Sequence, residues 1–202
     1  MKHESLVYRH RWYFKKHEPI GCRDNQTVSW MRKHGVKAYL TKCMTLLFDS
    51  YKGERNGEYI TDVNKIGWIP ALSNSFISSN DLEGYTELTH EIKTLHSFDV
   101  DYRLKYAQNL LDKYRKARFV VTSRLHCALP CRAFGTHVHF VHSNYENDNR
   151  FKGLEEELKG SDGTINLSSL NPEIDNKKLE LTKQNILNNL SMKLRNLGIT
   201  PT

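Results

Sequence analysis

Apolar residues recur along this chain with two different periods. Between Asp101 and Lys116, Leu104, Ala107, Leu110, Leu111 and Tyr114 return every three or four positions, which predicts a helix. Ala117-Arg118-Phe119-Val120-Val121-Thr122 is a short, nearly continuous apolar run, the pattern of a strand buried on both faces. Ser123 reads as the N-cap of a helix reaching about Phe134, which Gly135 stops. His137-Val138-His139-Phe140-Val141 reads as the next strand. A strand, a crossover helix and a strand in this order predict a parallel sheet.

The same reading extends upstream. Residues 5–17 read as one helix, with Leu6, Tyr8, Trp12 and Tyr13 as an imperfect apolar stripe, and Pro19-Ile20-Gly21 breaks it. Asp24 or Asn25 can cap a second helix from about Thr27 to His34, ended by Gly35. Val36 to Leu40 alternates like a short strand, and Met44 to Phe48 forms a further apolar run. Ser50 to Gly57 reads as a linker or turn, Glu58 to Val63 as a strand, and Asn64 to Gly84 as loop with one short helix. Tyr85 to Leu95 reads as a strand and a turn, Ser161 to Pro172 as loop, and Asn176 to Leu197 as a long polar helix. The fold class is therefore α/β.

Composition narrows the classes. Of 202 residues 38% are hydrophobic, enough for a folded core, and mean hydropathy is −0.65. No apolar run approaches the ~20 residues of a membrane span. Met1 to Ser5 lead into an aromatic and basic stretch without the apolar core of a signal peptide. Cys22, Cys43, Cys127 and Cys131 are too sparse for a disulfide framework and form no Cys-x-x-Cys pair; they read as small buried hydrophobes in a reduced, cytoplasmic setting. His137, His139 and His142 lack a completing carboxylate pattern, so no metal site is expected. The formal charge of +7 fits either a nucleic acid or an acidic small molecule. The densest basic stretch, His10 to His17, fits an RNA patch or an amphipathic helix with snorkelling cations. No recognisable nucleic-acid motif accompanies it, so no nucleic-acid partner is expected.

Two segments can carry chemistry. In the first, the run Val120 to Thr122 ends and Ser123, Arg124, Leu125 and His126 open a helix. Ligands of parallel sheets bind beyond the carboxyl ends of the strands, and a helix N-terminus offers N–H groups to an anion. Arg124 adds a bidentate fork, and His126 can exchange a proton near neutral pH. An Arg and a His at the positive end of a helix are mutually unfavourable without an anion. The same spacing also fits Arg124 paired with a structural carboxylate and His126 as a satisfied core histidine. The second segment is Pro19-Ile20-Gly21-Cys22-Arg23-Asp24-Asn25-Gln26-Thr27, where Arg23 precedes a capped helix. Here Arg23 and Asp24 could equally well cap and pair.

In this order the segments resemble the polysaccharide pyruvyl transferase family. The resemblance rests on Pro19 to Asp24 with Thr27, on Gly35 to Leu40 with Cys43, Thr45 and Leu46, and on Ala117 to Pro130 around Ser-Arg-Leu-His. It continues through Ala133 to Thr136. It spans about residues 15–155; Lys42 and Met44 interrupt an otherwise Gly-Cys-Leu-Thr-like run, and His137 stands where relatives tend to have Pro. The resemblance implies Rossmann-like parallel sheets in an incomplete GT-B-type two-domain architecture. Residues 1–52 would end the N-terminal half, 53–160 would form the C-terminal domain, and 161–202 a loop and final helix.

It further implies transfer of pyruvyl from phosphoenolpyruvate to hydroxyls of a glycan, forming a ketal, with phosphoenolpyruvate as substrate and no cofactor. His126 would be catalytic. Arg23, Arg124, Ser123 and Leu125 would bind phosphate or carboxylate, with Asp24 and Thr27 in support. Relatives carry a longer N-terminal region, so an N-terminally short member or fragment is expected, with a homo-oligomer or partner chain completing it. The alternatives are a sugar-nucleotide glycosyltransferase of the same architecture and a non-catalytic anion- or glycan-binding relative.

Overall fold

A computed structural model describes residues 3–62, 85–92, 98–140, 148, 151–158 and 176–199. The predicted elements over 64–84 and 161–172, and His142, lie outside them. The chain forms two compact units: residues 1–47, 144–157 and 177–202 make one, and 48–143 with 158–176 the other.

The first unit is built on one strand–helix–strand motif. Strand β1 (Ile20–Cys22) pairs in parallel with β2 (Ala38–Leu40), Ile20 opposite Ala38 and Cys22 opposite Leu40. Helices α1 (His3–Arg9) and α2 (Arg11–Lys16) precede them, and α3 (Asn25–Lys33) makes the crossover. A 3-10 turn over Met44–Leu47, a short helix α6 (Glu155–Leu158) and a long helix α7 (Asn176–Asn196) follow later in the chain. The core collects Val7, Cys22, Val28, Met31, Val36 and Ala38, with Phe14, Ile20, Trp30 and Leu40 packed on it. The predicted single N-terminal helix is thus two, broken at His10, and the predicted stripe does not face inward. Val7 is 4% exposed, whereas Tyr8 and Trp12 of the predicted stripe are each 69% exposed.

The second unit holds a four-stranded, all-parallel sheet in the order β4-β3-β5-β6, from β3 (Tyr59–Asp62), β4 (Tyr85–Glu87), β5 (Phe119–Thr122) and β6 (His137–Phe140). Ile60, Val120 and Val138 stand abreast in register, all buried. Every residue of β5 is buried, the signature of a central strand covered on both faces. Helix α4 (Val100–Lys116) enters β5 and α5 (Leu125–Phe134) links β5 to β6. Of the periodic apolar residues on α4 only Tyr114 is buried, and Leu104 is 58% exposed. Gly135 ends α5 at φ 71°, a left-handed conformation that costs glycine nothing.

The segment read as a linker is a clamp. The Arg55 guanidinium donates to five acceptors: the carbonyls of Arg115 (2.7 Å) and Ala117 (3.2 Å), of Phe134 (3.2 Å) and Gly135 (2.9 Å), and Thr136 Oγ1 (2.7 Å). The four carbonyls are the terminal acceptors of α4 and α5, which no helical N–H can reach and which carry the negative end of each dipole. Tyr51 N–H donates to Phe134 O and Asn56 N–H to Lys116 O, so the clamp is tied to both helices. Arg55→Ala is expected to destabilise this unit by about 2–4 kcal/mol, and Arg55→Lys to recover a minor part, since one ammonium cannot span five acceptors. Urea unfolding of the three proteins checks this; an unchanged midpoint for Arg55→Ala would contradict it.

Candidate functional site

In the second unit the chain runs from β3 outward to β4, then recrosses β3 to form β5 and β6. Neighbouring strands β3 and β5 therefore flank a topological switch point, where parallel sheets open a crevice beyond their carboxyl ends. Ser123, Arg124, Leu125 and His126 lie there, between β5 and α5. The residue at the N-cap of α5 is Arg124, with φ −102° and ψ 119°, and not Ser123 as the sequence predicts. The shift follows from Thr122: its fully buried Oγ1 accepts the Arg124 N–H at 2.9 Å, which keeps Ser123 and Arg124 in the connecting turn. The Arg124 carbonyl then accepts from Cys127 and Ala128, starting the helix.

The Arg124 side chain makes no capping bond, and its Nη2 lies 4.0 Å from Glu91 Oε1. Glu91 is 77% exposed, so this pair contributes at most about 1 kcal/mol. A cation thus opens a helix whose dipole already presents positive charge. His126 is exposed on the first turn, which excludes its reading as a core histidine. The Leu125 side chain is 8% exposed, so only its backbone is left to meet a ligand. Pro130, inside α5, has no N–H to donate to the His126 carbonyl. The turn after β4 approaches the same end of the sheet: His90 Nε2 meets Tyr114 Oη at 2.8 Å, and Tyr106 Oη donates to Thr89 O at 2.6 Å. No sequence signal marked Glu91 or His90.

In the first unit Arg23, Asp24 and Thr27 occupy the equivalent place, between β1 and α3. Here the helix start is already neutralised. Asp24, 6% exposed, caps α3 by accepting from Thr27 N at 2.8 Å and Thr27 Oγ1 at 2.9 Å. Arg23 Nη2 lies 3.4 Å from Asp24 Oδ2. The Asn25 N–H donates to Lys152 O at 3.0 Å. Both predicted roles of Asp24 and Thr27 are thereby local to the cap; Arg23, one-third exposed, is the residue of the three able to reach a ligand. Burial, with Asp24 nearby, pushes the Cys22 thiol up to about 11, so it is not a thiolate nucleophile at neutral pH. All four cysteines are buried and free. His137 is held below the usual imidazole range by burial and by Arg55, Arg132 and Arg118, surroundings that oppose a metal cation. Among the described residues no cluster of metal-binding side chains occurs, and no helix is long and apolar enough to cross a membrane.

Beyond β2 stands a residue that interrupts the family-like run. Lys42 adopts φ 58°, the left-handed region that favours glycine, and its Nζ pairs with Glu157 at 2.6 Å. Glu157 is nearly fully buried, so the ion pair holds the backbone against a strain of about 1–2 kcal/mol. Lys42→Gly relieves the strain but takes an ammonium from the buried carboxylate; a net loss of about 1–3 kcal/mol is expected. The double variant Lys42→Gly/Glu157→Gln is expected to regain wild-type stability. Chemical denaturation of the single and double variants measures both, and a stabilised single variant would show that the pair does not hold the turn.

A family model described as polysaccharide pyruvyl transferase matches residues 2–144, which takes in both strand–turn–helix segments. No curated protein and no solved structure matches the chain significantly. With most of its length matched, and with parallel sheets consistent with a Rossmann-like fold carrying Arg23 and Arg124 beyond their strand ends, the chain belongs to the polysaccharide pyruvyl transferase family.

Proposed function

We propose that this protein transfers pyruvyl from phosphoenolpyruvate to hydroxyls of a glycan. The observation that carries the reading is Arg124 at the start of α5, at the switch point of a parallel sheet, with His126 exposed on the first turn of the helix. The donor has two anionic groups, a phosphate and a carboxylate. Arg124 supplies a fork for one of them, and the first N–H groups of α5, including that of Leu125, add their dipole. Arg23, at the start of α3, is a further candidate anion ligand, and the family resemblance implies a GT-B-type architecture.

The chemistry needs a proton at one defined atom. His126, protonated, delivers it to C3 of the enol double bond, and C2 becomes electrophilic. The oxygen of a sugar hydroxyl bonds to C2 and its proton is released. The bond from C2 to the phosphate oxygen breaks and phosphate departs. The oxygen of a second hydroxyl then bonds to C2 and closes the ketal, its proton passing to the departed phosphate. Arg124 offsets the charge that gathers on that phosphate. The scheme uses no cofactor beyond the donor.

His126→Ala is expected to lower single-turnover rates by about 10²–10⁴-fold while donor binding is nearly kept, because a general acid acts in the transition state. Full turnover by this variant would make His126 a helix-start residue only. Arg124→Lys is expected to weaken phosphoenolpyruvate binding by about tenfold, since an ammonium loses the bidentate geometry. Arg23→Lys, titrated in the same way, tests Arg23 by itself: an unchanged affinity would leave it outside the donor site, and a wild type that neither binds nor consumes phosphoenolpyruvate would favour a non-catalytic binding relative.

A further inference from the structure

A second concave site lies in the first unit, at the opposite ends of its strands from Arg23. It is a cavity of about 490 Å³, within the range of small-ligand pockets, and its lining includes Lys15, Glu18, Lys37, Tyr39 and Lys193. The three lysines come from three separate places in the chain: α2, the turn into β2, and α7. One carboxylate faces them, and it is engaged. Glu18 Oε1 accepts the Lys37 N–H at 2.9 Å and lies 3.4 Å from Lys15 Nζ. The Lys37 N–H holds the Glu18 carboxyl below its ordinary range, so it stays ionised and in place. Among the described residues the lining thus includes three lysines and one carboxylate.

The aromatic wall is built with equal economy of space. Tyr39 stands opposite Gly21 in the β1–β2 register, and a Cβ on Gly21 would lie 2.6 Å from Thr41 Cγ2 and 3.5 Å from Tyr39 Oη. The bare glycine therefore leaves room for the Thr41 side chain, and Tyr39 Oη stays at ordinary contact distance. Lys193 Nζ sits 5.1 Å from the centre of the Tyr39 ring, a cation–π contact that keeps the ammonium at the cavity. Burial raises Tyr39 above the ordinary phenol range, so its hydroxyl remains a neutral donor.

We propose that this cavity binds an acidic group, carboxylate or phosphate, on the acceptor glycan, and that the acceptor is therefore an anionic polysaccharide. The inference rests on the transferase reading for the word acceptor; the anion site itself does not. Strands of three residues span only about 10 Å, so the Arg23 end and the lysine end of this unit are within reach of one oligosaccharide.

The test titrates the full chain with a neutral tetrasaccharide, an oligogalacturonate of equal length, a phosphorylated oligosaccharide, inorganic phosphate and a short single-stranded RNA. Either acidic oligosaccharide is expected to bind at least tenfold tighter than the neutral one, and the stronger of the two identifies the group. Raising salt is expected to weaken that binding. Lys37→Gln/Lys193→Gln is expected to lose about tenfold, and Lys37→Arg/Lys193→Arg to retain it, with phosphoenolpyruvate titration unchanged in both. Equal binding of neutral and acidic sugars, acidic binding indifferent to the lysines, or RNA bound as tightly as the acidic sugar would overturn the proposal. Acidic-sugar binding that survives while phosphoenolpyruvate fails to bind would overturn the donor reading and leave this site standing; the converse would do the reverse.

Discussion

The four-stranded unit depends on Arg55. A parallel sheet needs a crossover helix for every strand it adds, and each helix ends with carbonyls that its own N–H groups cannot reach. Here two such ends, those of α4 and α5, fall close enough together for one guanidinium to serve both. Thr136 completes the arrangement, accepting from Arg55 and donating to Tyr114 O at 2.9 Å while fully buried. Fixing the C-terminal end of α5 also fixes the helix axis, and with it the position of Arg124 at the other end. The clamp and the candidate site are therefore opposite ends of one rigid element.

The two units solve the same local problem in opposite ways. Each places a strand, a turn bearing an Arg, and a helix. In the first, Asp24 supplies a carboxylate cap and the positive helix end is balanced within the chain. In the second, a cation occupies the cap position, and its Nη2 lies 4.0 Å from the mostly exposed Glu91 carboxylate. Arg124 also stands at the switch point of the larger parallel sheet, which is why the functional reading is anchored at α5.

How much of this was legible in the sequence depends on the range of the interaction. The strand at Phe119–Thr122, the helix behind it and the Gly135 stop follow from patterns read over a few residues, and they are where the pattern placed them. The Ser-Arg-Leu-His segment was visible for the same reason: its chemistry lies in consecutive residues. The N-terminal stripe is not legible in the sequence: Val7 is buried and Leu6 and Tyr8 beside it are exposed on one short helix, and no glycine or proline announces the break at His10. Ser123 was given a cap role that fell to Arg124, because the deciding acceptor is the hydroxyl of Thr122, a residue counted as strand.

Contacts between distant residues were decided by the tertiary structure alone. Arg55 sits in a polar, glycine-bearing stretch indistinguishable from a linker until α4 and α5 end beside it, some sixty to eighty residues later. Lys42 looks like an interruption until Glu157 is brought to it across 115 positions. Lys15, Lys37 and Lys193 are unremarkable surface cations in sequence, and only folding sets them around one cavity with Tyr39. Sequence by itself determined the α/β pattern and the family, because periodicity and motifs are local. Which charges meet, and whether a carboxylate or a cation stands at a helix start, was decided by the fold, because Coulombic and hydrogen-bond energies depend on distance in space and not along the chain.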